Sequence, residues 1–221
     1  MRTSALILAP VLSLALGACA TEPTPTPAPA CPTAAPTPIE SQAILQDAVT
    51  ATVTVSGGAT GSFEIELLGE AAPIATANFV NLARCGFYDG ITFHRVLAGF
   101  VIQAGDPGTR TNRGDFPELG KGGPGYGFAI EPPADGLRYD PYVVAMANNT
   151  RANGSQFFID LVDLDGALRS AGVYTIFGEV TSGTDVVDAI ATVPVNDPRI
   201  GLPLTPVIID SIVISAEAPE G

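Results

Sequence analysis

Tryptophan is missing from the 221 residues, and histidine occurs once, as His94. Cysteine occurs only at positions 19, 31 and 85, with no Cys-x-x-Cys pair, so a zinc site of the usual clustered His and Cys ligands is not on offer. Positive charge is scarce: 10 Lys and Arg face 23 Asp and Glu, giving a net charge of −13. Nucleic-acid binding needs a basic face, so that class of partner is excluded, and the acidic residues read as a solvated surface. Long apolar runs are also wanting. The one run, Ala5 to Leu16, is about a dozen residues, too short to span a bilayer as a mature helix.

That run follows Arg2 and ends in small residues, which is the pattern of an export signal over residues 1–18. Leu16-Gly17-Ala18-Cys19 resembles the bacterial lipobox. The resemblance implies a lipoprotein, with a lipid on Cys19, which becomes the new N-terminus, and a membrane as partner. Residues 19–47 read as a disordered linker. Thr21 to Pro38 is rich in Pro, Thr and Ala, with little to bury and no donor at each proline. Ile39 to Asp47 is either a short helix or the linker's end. Cys31 and Cys85 would share an oxidising compartment and could pair, but Cys31 falls in the extended tract, which argues against it.

The globular domain spans 48–216, with a short tail over 217–221. Val49, Ala51, Val53 and Val55 alternate with Thr and Ser, and Phe63, Ile65 and Leu67 alternate with Glu64 and Glu66. The period of two and the glycines between predict a β-hairpin. Pro73 opens a helix, with Ala75, Phe79, Leu82 and Ala83 at helical spacing and Gly86 as its end. Strands are predicted over Pro141 to Ala147, Ser155 to Leu161, Tyr174 to Val180 and Thr205 to Ser215. A second helix is predicted over Thr184 to Ala191, and a loop from Asp163 to Gly172. The last strand is apolar on both faces, which suits a closed barrel more than an open edge. The glycine-rich stretch from Gly105 to Gly127 lacks the Gly-Lys-Ser/Thr ending of a phosphate loop and reads as a surface loop. Arg113-Gly114-Asp115 is too short a match to an adhesion tripeptide to bear weight.

The most informative stretch runs from Phe93 to Asp106. It holds two β-rich runs broken at Ala98-Gly99, with a cation, a ring and an amide at Arg95, Phe100 and Gln103. Side chains alternate faces along a strand, and a twist past Gly99 would bring all three to one surface. An arginine amid so much apolar sequence is costly unless it is paired or used. The residues also have plain readings. Phe100 and Phe158 could be core, Arg95 could pair with Asp106, and Gln103 could satisfy a loop carbonyl. Ser155 with His94 and an aspartate suggests a hydrolase triad, but the strained Gly-x-Ser-x-Gly elbow is missing.

Phe93–Asp106, then Met146-Ala147-Asn148, Asn153-Gly154-Ser155-Gln156-Phe157-Phe158-Ile159 and Tyr174-Thr175-Ile176-Phe177-Gly178 together closely resemble the cyclophilin family of peptidyl-prolyl isomerases. The resemblance covers roughly residues 48 to 216. It implies a mainly β fold, a closed eight-stranded antiparallel β-barrel capped by two α-helices. It implies isomerisation of X-Pro bonds in proline-containing polypeptides, without cofactor or metal; a monomer is the expectation, though the sequence does not fix the oligomeric state. By the same resemblance Arg95 is the cation, Gln103 orients it and the substrate carbonyl, and Phe100, Val101, Phe158 and Leu164 hold the proline ring. Ala147 and the backbone of Asn148 flank the peptide, Gln156 buttresses the site, and Tyr174 stands where His or Tyr is usual. His94 is taken as structural. Asp163 replaces the aromatic residue, often Trp, that many members carry before Leu164-Asp165-Gly166. That departure touches cyclosporin binding more than catalysis.

Overall fold

The computed structural model describes residues 28–114, 118–149 and 152–216. The β1 strand (Thr50–Gly57) and β2 (Gly61–Leu67) form the expected hairpin, with Val53 opposite Phe63. Ala51, Val53, Val55, Phe63, Ile65 and Leu67 turn inward, while Glu64 and Glu66 turn to solvent. Six more strands follow: β3 (Arg95–Val96), β4 (Val101–Ala104), β5 (Val143–Asn148), β6 (Asn153–Asp160), β7 (Ile176–Ser182) and β8 (Val207–Ser215). They join in one sheet of order β3-β4-β6-β5-β7-β2-β1-β8, every pairing antiparallel.

The sheet is strongly curled but open, not the closed barrel expected. β3 is only two residues long, so its end of the sheet offers no ladder to β8. The two ends meet through the segment before β3, at one bridge between Thr92 and Ile208, with Gly90 and Phe93 donating to Ile209 and Val207. The apolar character of β8 on both faces has another cause. A bulge opposite Thr54 and Val55 resets its parity, so Ile209 and Ile212 both face the core. Val213 remains on the outside, 58% exposed.

Helix α2 (Pro73–Arg84) plugs the curl. Phe79 meets Tyr88, Phe157 and Phe177 at ring separations of 5.0–5.7 Å. Its N-terminus lacks a local cap. Glu131 supplies one from afar, its carboxylate accepting from the Ile74 and Ala75 amides at 3.0 and 2.8 Å. Gly86, at φ +72°, ends it as expected. The α4 helix (Thr184–Ala191) matches its predicted span.

Of two further helices, one realises the helical alternative for Ile39 to Asp47 and the other replaces an expected loop. Residues 28–47, read as part of a disordered linker, are described and ordered. Thr37 and Glu40 form a capping box around Pro38, starting α1 (Pro38–Ile44), and a 3₁₀ turn follows over Leu45–Asp47. Ala35, Ile44 and Leu45 pack on the core, and a disulfide joins Cys31 to Cys85 at the end of α2. Proline spacing dominated the sequence signal there, and the packing partner lay far away in the chain. The segment read as a loop from Asp163 to Gly172 contains α3 (Asp165–Ala171). Asp163 Oδ1 accepts from the Asp165 amide at 3.0 Å, an Asp165–Arg169 pair spans one turn at 2.9 Å, and Leu164 and Leu168 are buried.

Candidate active site

Parity decides which side chains share the site. Along β4, Ile102 and Ala104 join the main core, while Val101 and Gln103 face the other way. Along β6, Phe157 and Ile159 go inward and Gln156 and Phe158 outward. The outward face carries its own small core, in which Val101, Phe158, Leu164 and Leu168 meet Tyr139 and Ile176. Leu97 to Phe100 make the turn between β3 and β4. Gly99 takes φ +71°, and Phe100 N–H donates to Leu97 O at 2.9 Å. Arg95 is thereby set directly opposite Gln103, and Gln103 opposite Phe158.

A cleft of about 210 Å³ opens on this face. Arg95, Phe100, Val101 and Gln103 form one side, and Ala147, Asn148, Phe158 and Tyr174 form the other. Both Ala147 and Asn148 reach it because a bulge after Met146 breaks the alternation of β5. Leu164 does not line the cleft. It lies beneath, 6% exposed, and Leu168, one turn later on α3, takes the lining position. Spacing at i and i+4 would have pointed to Leu168 had the segment been read as a helix. Tyr139 was also missed. Its hydroxyl donates to Tyr174 O at 2.8 Å and accepts from Tyr174 N–H at 3.2 Å, fixing the backbone that aims the Tyr174 ring. That ring meets Phe158 edge-on at 5.5 Å.

Arg95 is half-buried. Its Cζ stands 5.5 Å from the Phe100 ring centre, and Nη1 donates to Gln103 Oε1 at 3.5 Å. Among the described residues it forms no ion pair. Asp106, its alternative partner, turns instead to three backbone amides. Burial lowers the guanidinium's pKa, with Tyr174 opposing, yet arginine remains a cation at physiological pH. Gln103 does not reach a loop carbonyl itself. Its Nε2 donates to Gln156 Oε1 at 3.0 Å, and Gln156 Nε2 donates to Gly122 O at 2.8 Å. Beyond Gln156 a wider cleft of about 530 Å³ continues along the glycine-rich segment. Asn148 Nδ2 donates to Val173 O at 2.8 Å.

Ser155 is fully buried and donates to Gly105 O at 2.7 Å, which removes it as a nucleophile. His94 lies behind the cleft, 4% exposed, and burial pushes its pKa down to about 4, so the ring is neutral at pH 7. Among the described residues no cluster of three His, Cys, Asp or Glu could hold a metal ion. Cys19 lies outside the described residues.

The family model for cyclophilin type peptidyl-prolyl cis-trans isomerase/CLD matches residues 50–214. The chain belongs to this family. Peptidyl-prolyl cis-trans isomerase B of Streptomyces anulatus is 42% identical over 172 residues, covering 70% of this chain and 91% of that protein. A probable peptidyl-prolyl cis-trans isomerase A of Mycobacterium leprae is 43% identical over 176 residues, covering 70% and 87%. Among solved structures, a cyclophilin type isomerase of Cryptosporidium parvum superposes with a TM-score of 0.64 at 30% identity. It covers 78% of this chain and 99% of its own. This cyclophilin is therefore an enzyme of peptidyl-prolyl cis-trans isomerisation, and its mainly β, eight-stranded architecture is the family's. Residues 28–49, with α1 and Cys31, lie before the family match.

Proposed function

We propose that this cyclophilin isomerises X-Pro bonds in exported polypeptides from a lipid anchor on the cell envelope, as a monomer, with Arg95 as the group that acts on the turning amide. The observation that supports the role of Arg95 is its setting: a cation without a carboxylate partner among the described residues, held over Phe100 at the mouth of an apolar cleft. Rotation about the peptide bond has a barrier of about 18–20 kcal/mol because resonance resists twisting. No nucleophile is needed. Phe158, Val101, Phe100 and Leu168 take the proline ring out of water. The Arg95 guanidinium then donates to the amide as it twists, stabilising the pyramidal prolyl nitrogen or the turning carbonyl, and each 1.36 kcal/mol removed is about tenfold in rate. Gln103 holds the guanidinium and the substrate carbonyl, and Ala147 and Asn148 flank the peptide. A cyclophilin of Cryptosporidium parvum, 31% identical and with a TM-score of 0.63, has been solved in the presence of the dipeptide Ala-Pro. That likeness supports a proline-containing peptide as ligand here.

The envelope location rests on the signal-like residues 1–18 and on Cys19. The test of the chemistry is a protease-coupled proline-peptide assay on the wild type and on Arg95→Ala. The variant is expected to lose roughly 10²–10³ in turnover, the scale of removing one transition-state donor, with its fold intact. An unchanged rate rejects the assignment of Arg95.

A further inference from the structure

Asp106 stands two residues past the end of β4, after Gly105, and is 1% exposed. A carboxylate so buried is costly unless its oxygens are satisfied. Here they are: Oδ1 accepts from Gly108 N–H at 2.8 Å, and Oδ2 accepts from Gly120 N–H at 2.7 Å and Gly122 N–H at 3.2 Å. The contact admits no side chain at Gly122. A Cβ at Gly122 would stand 2.0 Å from Asp106 Oδ1. The glycine-rich segment is thus pinned from within by one carboxylate.

What the pinned loop presents is a carbonyl, and a carbonyl can only accept. Gly122 O therefore fixes the Gln156 amide with its NH₂ toward the loop and its Oε1 toward Gln103. That oxygen in turn fixes the Gln103 amide with Nε2 toward Gln156, leaving Oε1 toward Arg95. Each amide could otherwise flip, and a flipped Gln103 would set NH₂ against the guanidinium, donor against donor. The loop carbonyl supplies the polarity of the whole chain of bonds. We propose that Asp106 is a positioning residue for the isomerase: by holding Gly120 and Gly122 it orients Gln156 and Gln103 and so sets where the Arg95 guanidinium sits. This rests on the role assigned to Arg95 above.

The test is a double-mutant cycle in the proline-peptide assay. Asp106→Asn keeps the shape but turns one acceptor into a donor facing backbone amides. It is expected to lower kcat/KM by roughly ten- to a hundredfold, the scale of a small misplacement of a reacting group, chiefly in kcat. Gln156→Leu is expected to lower it as well. In the double variant the losses should not multiply, because Asp106 acts through Gln156. If the losses multiply, or if Asp106→Asn lowers only the melting temperature and leaves kcat/KM unchanged, the relay is overturned. Should Asp106→Asn fail to fold, Gly122→Ala breaks the same contact from the loop side and carries the same expectation. Arg95→Ala separates the two claims. A slow Arg95→Ala beside a fast Asp106→Asn sinks the relay alone, whereas a fast Arg95→Ala sinks the role on which it rests.

Discussion

Two buried titratable side chains pull the stability of this domain in opposite directions with pH. Asp160 ends β6 on the outward face, and both its oxygens are buried without a hydrogen-bond partner among the described residues. Burial, reinforced by nearby Asp140, pushes its pKa up to about 8, so the fold keeps it protonated at neutral pH. In the unfolded chain the carboxyl ionises near pH 3.9. A raised folded-state value favours the protonated fold, so this contribution is full below about pH 4 and declines as the pH climbs to about 8. His94 runs the other way. With its folded value near 4 and its unfolded value near 6.5, its contribution is full above about pH 6.5 and is lost as the pH falls toward 4. Asp160→Asn retains the shape and abolishes the titration. The variant should gain several degrees in melting temperature over the wild type at about pH 8.5 and little at about pH 5. Equal gains at the two pH values would contradict the raised pKa.

Among the secondary-structure elements, the strap formed by residues 28–47 is the addition that distinguishes this chain from the family match. Its disulfide spans 54 residues of sequence. In the chain-entropy account a loop of that size stabilises by roughly 2–4 kcal/mol, acting on the unfolded state. Arg84 adds a second tie, donating to Asp47 at 2.7 Å, but that pair is exposed and contributes little. Replacing both cysteines by serine, or reducing the disulfide, should lower the melting temperature by about 5–15 °C. Turnover should not change, because the cleft is built on β3 to β6 and α3. A stable reduced protein would show that α1 packing alone holds the strap. A loss of turnover would mean the strap reaches the cleft. The strap was hard to foresee for a local reason. Its capping box, Thr37 and Glu40 around Pro38, is visible in the sequence, but a seven-residue helix is marginal without its partner. The same reason hid α3, whose Leu164 and Leu168 gain burial in a cluster with residues distant in sequence, Val101, Tyr139, Phe158 and Ile176 among them.

At the scale of the whole molecule, the proposed lipid anchor and the catalytic domain can be separated by mutation. Cys19→Ser should shift the protein from the membrane fraction to the soluble fraction of the envelope, with the proline-peptide rate of the purified domain unchanged. Continued membrane association of that variant would refute the lipid anchor. Because Cys31 is bonded to the domain, a tether from Cys19, if the proposed anchor holds, begins at the disulfide and not at the start of β1. A lipid on Cys19 would therefore hold the enzyme on a shorter leash than a linker running to residue 47. Much of the architecture follows from local pattern: alternation in β1 and β2, helical spacing in α2 and α4, and the glycine that turns β3 into β4. Arg95, Phe100 and Gln103 were identifiable as a group because a cation, a ring and an amide flank a forced turn. That information is short-range, and chemistry plus period suffices to read it. Other features depend on what meets what across long separations. The curl stays open because a two-residue β3 cannot ladder with β8. Cys31 finds Cys85, Leu168 displaces Leu164 at the cleft, and Asp106 turns from Arg95 to the glycine loop. Packing and hydrogen-bond satisfaction decide these outcomes, and both are properties of the assembled fold, so no local stretch of sequence encodes them.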